Sequence, residues 1–245
     1  MDNYEERAIS ESQVLDRLAE AAREGRPLSL ARFSHAEIAI LTASFSDPDW
    51  IRSWEYTRYQ GATAEPEELQ KLLIEALAAA DITGLHLSTS PYEVDHQFCA
   101  TSKELLNRLG IRPRVVCSPW TTHAFNGMPA FWNLLRQYPV FLVGRRAPEA
   151  AWIFEREGVA VAGTRVLEGV RNVAQVCSEL CADPHWRIAL IAAGIPATVL
   201  APRLARESGR IAIDYGHAMD GLIEGENFDF YRIAAEWNQK NSNKG

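Results

Sequence analysis

The chain has 245 residues, 47% hydrophobic and 23% charged, with 25 Lys and Arg against 32 Asp and Glu for a net charge of −7. That apolar content excludes a disordered or low-complexity chain, and the length suits one large α/β domain or two small ones. The acidic balance argues against a fold-wide basic surface for nucleic acid, while a local basic pocket for phosphates stays open.

In chain order, Ser10 to Arg23 reads as an amphipathic helix, with Val14, Leu15, Leu18 and Ala22 near one face and Ser10 with Gln13 as a capping box. Pro27 to Phe33 reads as a strand, followed by a short helix carrying Glu37, Ile38, Ile40 and Leu41. Asp47 to Gln60, rich in Trp and Tyr, gives no clear element. Pro66 sits at a first helical turn and opens a helix to about Ala80. Ile82 to Ser88 is a strand, Asp95 to Leu109 a helix, Arg114 to Ser118 a strand and Ala124 to Gln137 a helix. Val140 to Gly144 is a short apolar strand of the kind buried on both faces. Ala147 to Glu157 is helical, Val159 to Ala162 a brief strand, Val170 to Cys181 helical, Ile188 to Ala193 a buried strand and Pro196 to Ser208 a helix. Ile211 to Asp214 closes the series. Strands separated by helices of this length imply parallel pairing through right-handed crossovers, so the expected fold class is α/β, a single Rossmann-like, mostly parallel open sheet flanked by helices. No repeat or flexible linker divides the chain. One domain over 1–238 and a polar tail over 239–245 are expected.

No apolar run reaches the roughly 18–20 residues of a membrane span. The start, Met1-Asp2-Asn3-Tyr4-Glu5-Glu6, is too acidic for a signal peptide, and Cys99, Cys117, Cys177 and Cys181 show no paired zinc-knuckle spacing. A cytoplasmic protein without disulfides is expected. Cys177 and Cys181, four apart in a helix, share a face suited to a metal, though two small apolar residues on a buried face explain them more simply.

In open α/β sheets ligands collect where strands end and helix N-termini begin. Four strand exits carry candidate chemistry. Arg32-Phe33-Ser34-His35-Ala36-Glu37 sets a guanidinium, an imidazole and a carboxylate within six residues. At Gly144-Arg145-Arg146-Ala147-Pro148 an apolar strand breaks and a helix opens behind two arginines, a natural phosphate cradle. Ala193-Gly194-Ile195-Pro196 allows close approach of a ligand to backbone. Ile213-Asp214-Tyr215-Gly216-His217-Ala218-Met219-Asp220 packs two carboxylates and an imidazole behind the last strand. Each also has a plain structural account: a capped strand end, solvated arginines, a tight turn or a structural histidine. The stretch Pro119 to Met128, with Trp120, Thr121, Thr122, His123 and Asn126, adds polar groups beside another strand end.

Two of these segments resemble the GT-D fold glycosyltransferases, bacterial enzymes with a Rossmann-like sheet that use nucleotide-sugar donors. That family has a strand ending in Arg, an apolar residue, Gly and then Asp-Gly-Glu, which here becomes Arg32-Phe33-Ser34-His35-Ala36-Glu37. Its C-terminal run of Ala-Ile-Asp, an apolar residue and Gly-His appears as Ala212-Ile213-Asp214-Tyr215-Gly216-His217, after the turn Ala193-Gly194-Ile195-Pro196. The resemblance covers residues 27–40 and 138–222, and the middle aligns only by element order. It implies transfer of a sugar from a nucleoside diphosphate sugar, such as a UDP-sugar, to a glycan, protein or small-molecule acceptor. Arg32, Asn126, Gly144, Arg145, Arg146 and Gly194 would bind the donor, and Asp214, His217 and Asp220 would catalyse or complete a metal shell. His35 and Glu37 would hold a divalent metal. The departure at His35 favours Mn2+ over Mg2+, since imidazole suits the softer ion. A protonated His35 beside the diphosphate, or a catalytically inactive nucleotide-sugar-binding relative, explains the same change. A Rossmann-like methyltransferase is the rival enzyme class, but its Gly-rich loop is missing after the first strand.

Overall fold

A computed structural model describes residues 3–43, 61–91 and 93–229. The aromatic-rich stretch 47–60 and the polar tail 239–245 lie outside the described residues. Seven strands, β1 (Leu28–Arg32), β2 (Ile82–Gly84), β3 (Val115–Cys117), β4 (Val140–Gly144), β5 (Val161–Arg165), β6 (Ile188–Ala192) and β7 (Ile211–Asp214), form one sheet in the order β3-β2-β1-β7-β6-β4-β5. Every pairing is parallel. The described helices are α1 (Glu11–Glu24), α2 (His35–Thr42), α3 (Pro66–Ala79), α4 (Glu93–Leu109), α5 (Thr121–Phe125), α6 (Pro129–Leu135), α7 (Ala147–Arg156), α8 (Val173–Ala182), α9 (Ile195–Ser208) and α10 (Ala218–Glu224).

Helices cover both faces, so the strands are apolar on both sides and their side chains alternate between two cores. On one face Ala31, Phe141, Val143, Ala189, Ile191 and Ala212 meet α2, α3, α4, α8 and α9. On the other, Leu30, Val140, Leu142, Ile188, Leu190, Ile211 and Ile213 meet α1, α5, α6, α7 and α10. The Ser10–Gln13 capping box opens α1 as the sequence predicts. From β1 the sheet grows one way to β2 and β3, while the rest of the chain builds the other half. The reversal falls between β1 and β7, and in open α/β sheets such a crevice is where ligands bind.

Three differences from the sequence reading have physical causes. The helix expected over Ala124 to Gln137 is two, α5 and α6, because Pro129 lacks an N–H and forces Met128 into an extended conformation (φ −100°, ψ 115°). β5 starts at Val161, not Val159, and is a half-buried edge strand with a register shift at Val140/Phe141. There Gly163 makes room for the Phe141 ring, whose carbon would lie 2.7 Å from a Cβ at that position. The chain also continues past β7 into the short helix α10.

Candidate active site at the junction of β1 and β7

The ends of β1 and β7 are tied together by one ion pair. Arg32 Nη2 donates to Asp214 Oδ1 at 3.0 Å, and the Arg32 backbone N–H donates to Asp214 Oδ2 at 3.1 Å. Thr198, in the second turn of α9, donates its hydroxyl toward the same Oδ2 at 3.1 Å. Arg32 also reaches the Pro119 carbonyl at 3.2 Å. The side chains of Arg32 and Asp214 are 11% and 3% exposed, so this is a buried pair, in which Arg32 Nε has no hydrogen-bond partner. Gly216 completes the fit. Its φ is +54°, and a Cβ there would sit 1.5 Å from Arg32 Nη2, so only glycine lets the guanidinium lie across the turn.

Beyond Gly216 the chain turns into a small cleft of about 60 Å3 lined by Arg145, Arg146, Ala193, Gly194, Gly216, His217 and Asp220, among others. That is room for a phosphate group. Gly194 (φ +63°) precedes the first residue of the 14-residue α9, whose N-terminus presents positive partial charge. His217 Nδ1 lies 3.0 Å from Asp220 Oδ2, a His–Asp dyad. Arg145 Nε is 3.3 Å from Glu168. Arg146 is held by three carboxylates, Glu149 at 2.8 Å, Glu224 at 2.9 Å and Asp220 at 3.4 Å. Its charge is thus largely spent within the protein.

Two other expected donor-binding residues have local tasks. Gly144 (φ +144°) lets β4 pass β6, since a Cβ there would lie 2.2 Å from the Ala192 carbonyl oxygen. Asn126 donates to the Ala218 carbonyl at 2.9 Å and accepts from the Tyr215 hydroxyl, bracing the turn after β7. His123 lies near Arg32 and His217. Burial, then those two charges, pushes its imidazole down to about 3, so it is neutral.

The expected metal pair separates. His35 and Glu37 are the first and third residues of α2, and side chains two apart on a helix do not face each other. Glu37 is buried. Its Oε2 accepts the Ser34 backbone N–H at 3.0 Å, and its Oε1 is 3.5 Å from the Thr198 hydroxyl. Burial, followed by repulsion from Asp214, raises its carboxyl to about 7. His35 turns the other way, toward His86 just beyond β2 and Asp95 on α4. Its ring centroid is 4.4 Å from that of His86, and its Nε2 is 3.3 Å from Asp95 Oδ1. His86 Nδ1 is 2.9 Å from the same oxygen. Asp95 Oδ2 accepts from Ser90 at 2.5 Å and Trp120 Nε1 at 2.8 Å. Burial pushes His86 down to about 4 and lowers His35 as well. Burial alone would raise Asp95, but the Ser90 and Trp120 hydrogen bonds and the two imidazoles outweigh it and hold it below the ordinary carboxylate value. The donor atoms of His35, His86 and Asp95 lie within 4.8 Å of one another, close enough for one metal ion to share them.

The pattern described as a GT-D fold-like domain matches residues 9–222, most of the chain. The chain belongs to the GT-D-like family. Among solved structures, this GT-D-like chain is similar to a glycosyltransferase (domain of unknown function 1792) from Streptococcus sanguinis, at 18% identity and a TM-score of 0.60, over 92% of this chain and 84% of that one. It is also similar to a structure described as the highly conserved domain of unknown function 1792 with a distinct glycosyltransferase fold, at 17% identity and a TM-score of 0.56, over 93% and 82%. At such identity the likeness is one of fold. No curated protein matches the chain.

The two segments carrying the GT-D resemblance therefore meet in space: Arg32 of the first grips Asp214 of the second, over Gly216. Sequence reasoning missed Thr198, His86 and Asp95. Thr198 was signalled by one hydroxyl in the apolar run Ile195 to Ala201. His86 was masked because Leu85-His86-Leu87 reads as continuing strand, whereas β2 ends at Gly84 and leaves His86 at a strand exit like the other candidates.

Proposed function

We propose that this GT-D-like chain is a glycosyltransferase that moves a sugar from a nucleoside diphosphate sugar to an acceptor hydroxyl. The observation that carries the reading is the phosphate-sized cleft at the strand ends, where Arg145, the N-terminus of α9 and the His217–Asp220 dyad converge. Transfer breaks the bond between the anomeric carbon and the diphosphate oxygen, so negative charge grows on the leaving group while the acceptor loses a proton. Arg145 and the α9 terminus supply positive potential for the first need. For the second, Asp220 holds Nδ1–H of His217, which sets the tautomer whose Nε2 accepts a proton. Arg146, gripped by Asp220, Glu149 and Glu224, positions Asp220. Asp214 holds Arg32 against Gly216, which lines the cleft. The carboxylate-type metal pair implied by the resemblance does not fit His35 and Glu37, because their side chains join different groups. A cytoplasmic location and a donor of the UDP-sugar class complete the proposal.

Calorimetric titration with UDP and other nucleoside diphosphates, followed by a radiolabelled-sugar hydrolysis assay, tests this. Arg145→Glu should weaken nucleoside diphosphate binding at least about tenfold, the loss of one charge-assisted contact of about 1.5–3 kcal/mol. His217→Ala should lower turnover by about 10²–10⁴-fold with binding retained. Absence of binding to every nucleoside diphosphate, or unchanged turnover in His217→Ala, would refute the assignment.

A further inference from the structure

We propose that His35, His86 and Asp95 form a site for a divalent transition-metal ion, one that does not use Glu37. The donor set is two imidazoles and one carboxylate, which suits ions of the Zn2+, Mn2+ and Co2+ class and is poorly matched to Mg2+, which prefers an all-oxygen octahedron.

Three observations carry the inference. First, the donor atoms converge. The His86 Nδ1 to Asp95 Oδ1 and His35 Nε2 to Asp95 Oδ1 separations are 2.9 and 3.3 Å. Ligand atoms about 2.0–2.1 Å from a tetrahedral ion stand about 3.3 Å apart. Second, the contact between His35 and Asp95 has ion-pair distance without hydrogen-bond geometry. His35 Nε2 and His86 Nε2 are both buried with no hydrogen-bond partner, a costly arrangement for polar atoms in a core. An ion between the rings satisfies the first of these directly. Third, the surroundings have the form expected around a metal ligand. Asp95 uses its other oxygen to accept from Ser90 and Trp120, which fixes the carboxylate in place. Phe98 closes one side with its ring 4.6 Å from His35, while the His35 side chain is 34% exposed. The site stands on its ligand set and does not depend on the transferase reading.

The test needs no substrate. Protein dialysed against a chelator and then into metal-free buffer is titrated calorimetrically with ZnCl2, MnCl2 and MgCl2, and Co2+ is followed by its visible absorption. The expected result is one ion per chain for Zn2+, Mn2+ and Co2+, each binding at least about tenfold more tightly than Mg2+. Trp120→Phe, which removes the indole N–H that donates to Asp95, should weaken Zn2+ binding about 10–100-fold. His35→Ala, at a partly exposed ring, should abolish it, and Glu37→Gln should leave it unchanged. Melting curves of the metal-free variants check that each is folded. No stoichiometric binding, equal affinity for Mg2+, survival of binding in His35→Ala, or loss of binding in folded Glu37→Gln would overturn the proposal.

Discussion

Replacing Asp214 by Asn is the most informative single perturbation of the strand junction. The change is nearly isosteric, but it leaves the Arg32 guanidinium, 11% exposed, facing a neutral amide. Removing one partner of a buried pair costs about 3–5 kcal/mol, mostly the cost of the charge left behind. For a domain of this size about 2–4 °C of melting temperature accompanies each kcal/mol, so a fall of roughly 6–20 °C is expected. The loss should depend on pH. Burial, and after it repulsion from Asp214, holds the Glu37 carboxyl near 7, so without Asp214 that value falls part of the way toward an ordinary carboxylate. In the wild type the raised Glu37 contributes stability that is present below about 4.5 and is lost as pH rises through 7. The variant lacks the part of that slope due to Asp214, so its deficit should be larger at pH 5 than at pH 8. Urea denaturation of Asp214→Asn, Arg32→Met and the double variant at both pH values measures the coupling. A coupling energy below about 1 kcal/mol, the value of a solvated surface pair, would refute the account of Arg32 and Asp214 as a buried strut.

Two further outcomes follow from the same geometry. Gly216→Ala should cost about 2–4 kcal/mol, since strain at positive φ adds to displacement of Arg32, whereas Gly209→Ala, with φ +71° and open space around it, should cost only about 1. Equal losses by thermal melting would show that Arg32 does not need that space. At the N-terminal end, burial would raise the Glu5 carboxyl, but hydrogen bonds from Cys99, Lys103 and Ser88 win and hold it at about 2. Its stabilising contribution is therefore present above about 4.5 and lost as pH falls toward 2, and Glu5→Gln should flatten that limb of a pH–stability curve. Parallel acid limbs would contradict the assignment.

The sheet was legible because its strands are apolar on both faces and separated by helices. β4 and β7 fall where their runs of Val, Leu and Ile predict, and helix starts marked by Ser10 and Pro66 are in place. The edge strand β5 was harder, since half-burial on every residue leaves no alternation to read. The cleft residues Arg145, Gly194, His217 and Asp220 could be found from strand exits alone, because each follows its strand in sequence and topology brings the exits together. Side-chain direction could not. His35 and Glu37 are two apart in the chain and look like a pair until α2 turns them to different sides. His86 and Asp95 come from elements whose ends the sequence blurred, so their meeting with His35 depends on tertiary packing.

The neighbours at the centre of the sheet, β1 and β7, are the first strand and the last. Arg32 and Asp214 are 182 residues apart, so the strand on which the first half of the sheet rests emerges early and stays without its central partner until almost all of the described chain has been made. At about 5–20 residues per second, that interval is roughly 10–35 s of synthesis. Throughout it, one side of β1 offers unpaired backbone groups and an uncovered apolar edge, the features that invite association with other chains. The cleft and its ion-paired wall thus come into being as the closing event of biogenesis, and a chain cut short before Asp214 would lack not a corner of the domain but its middle.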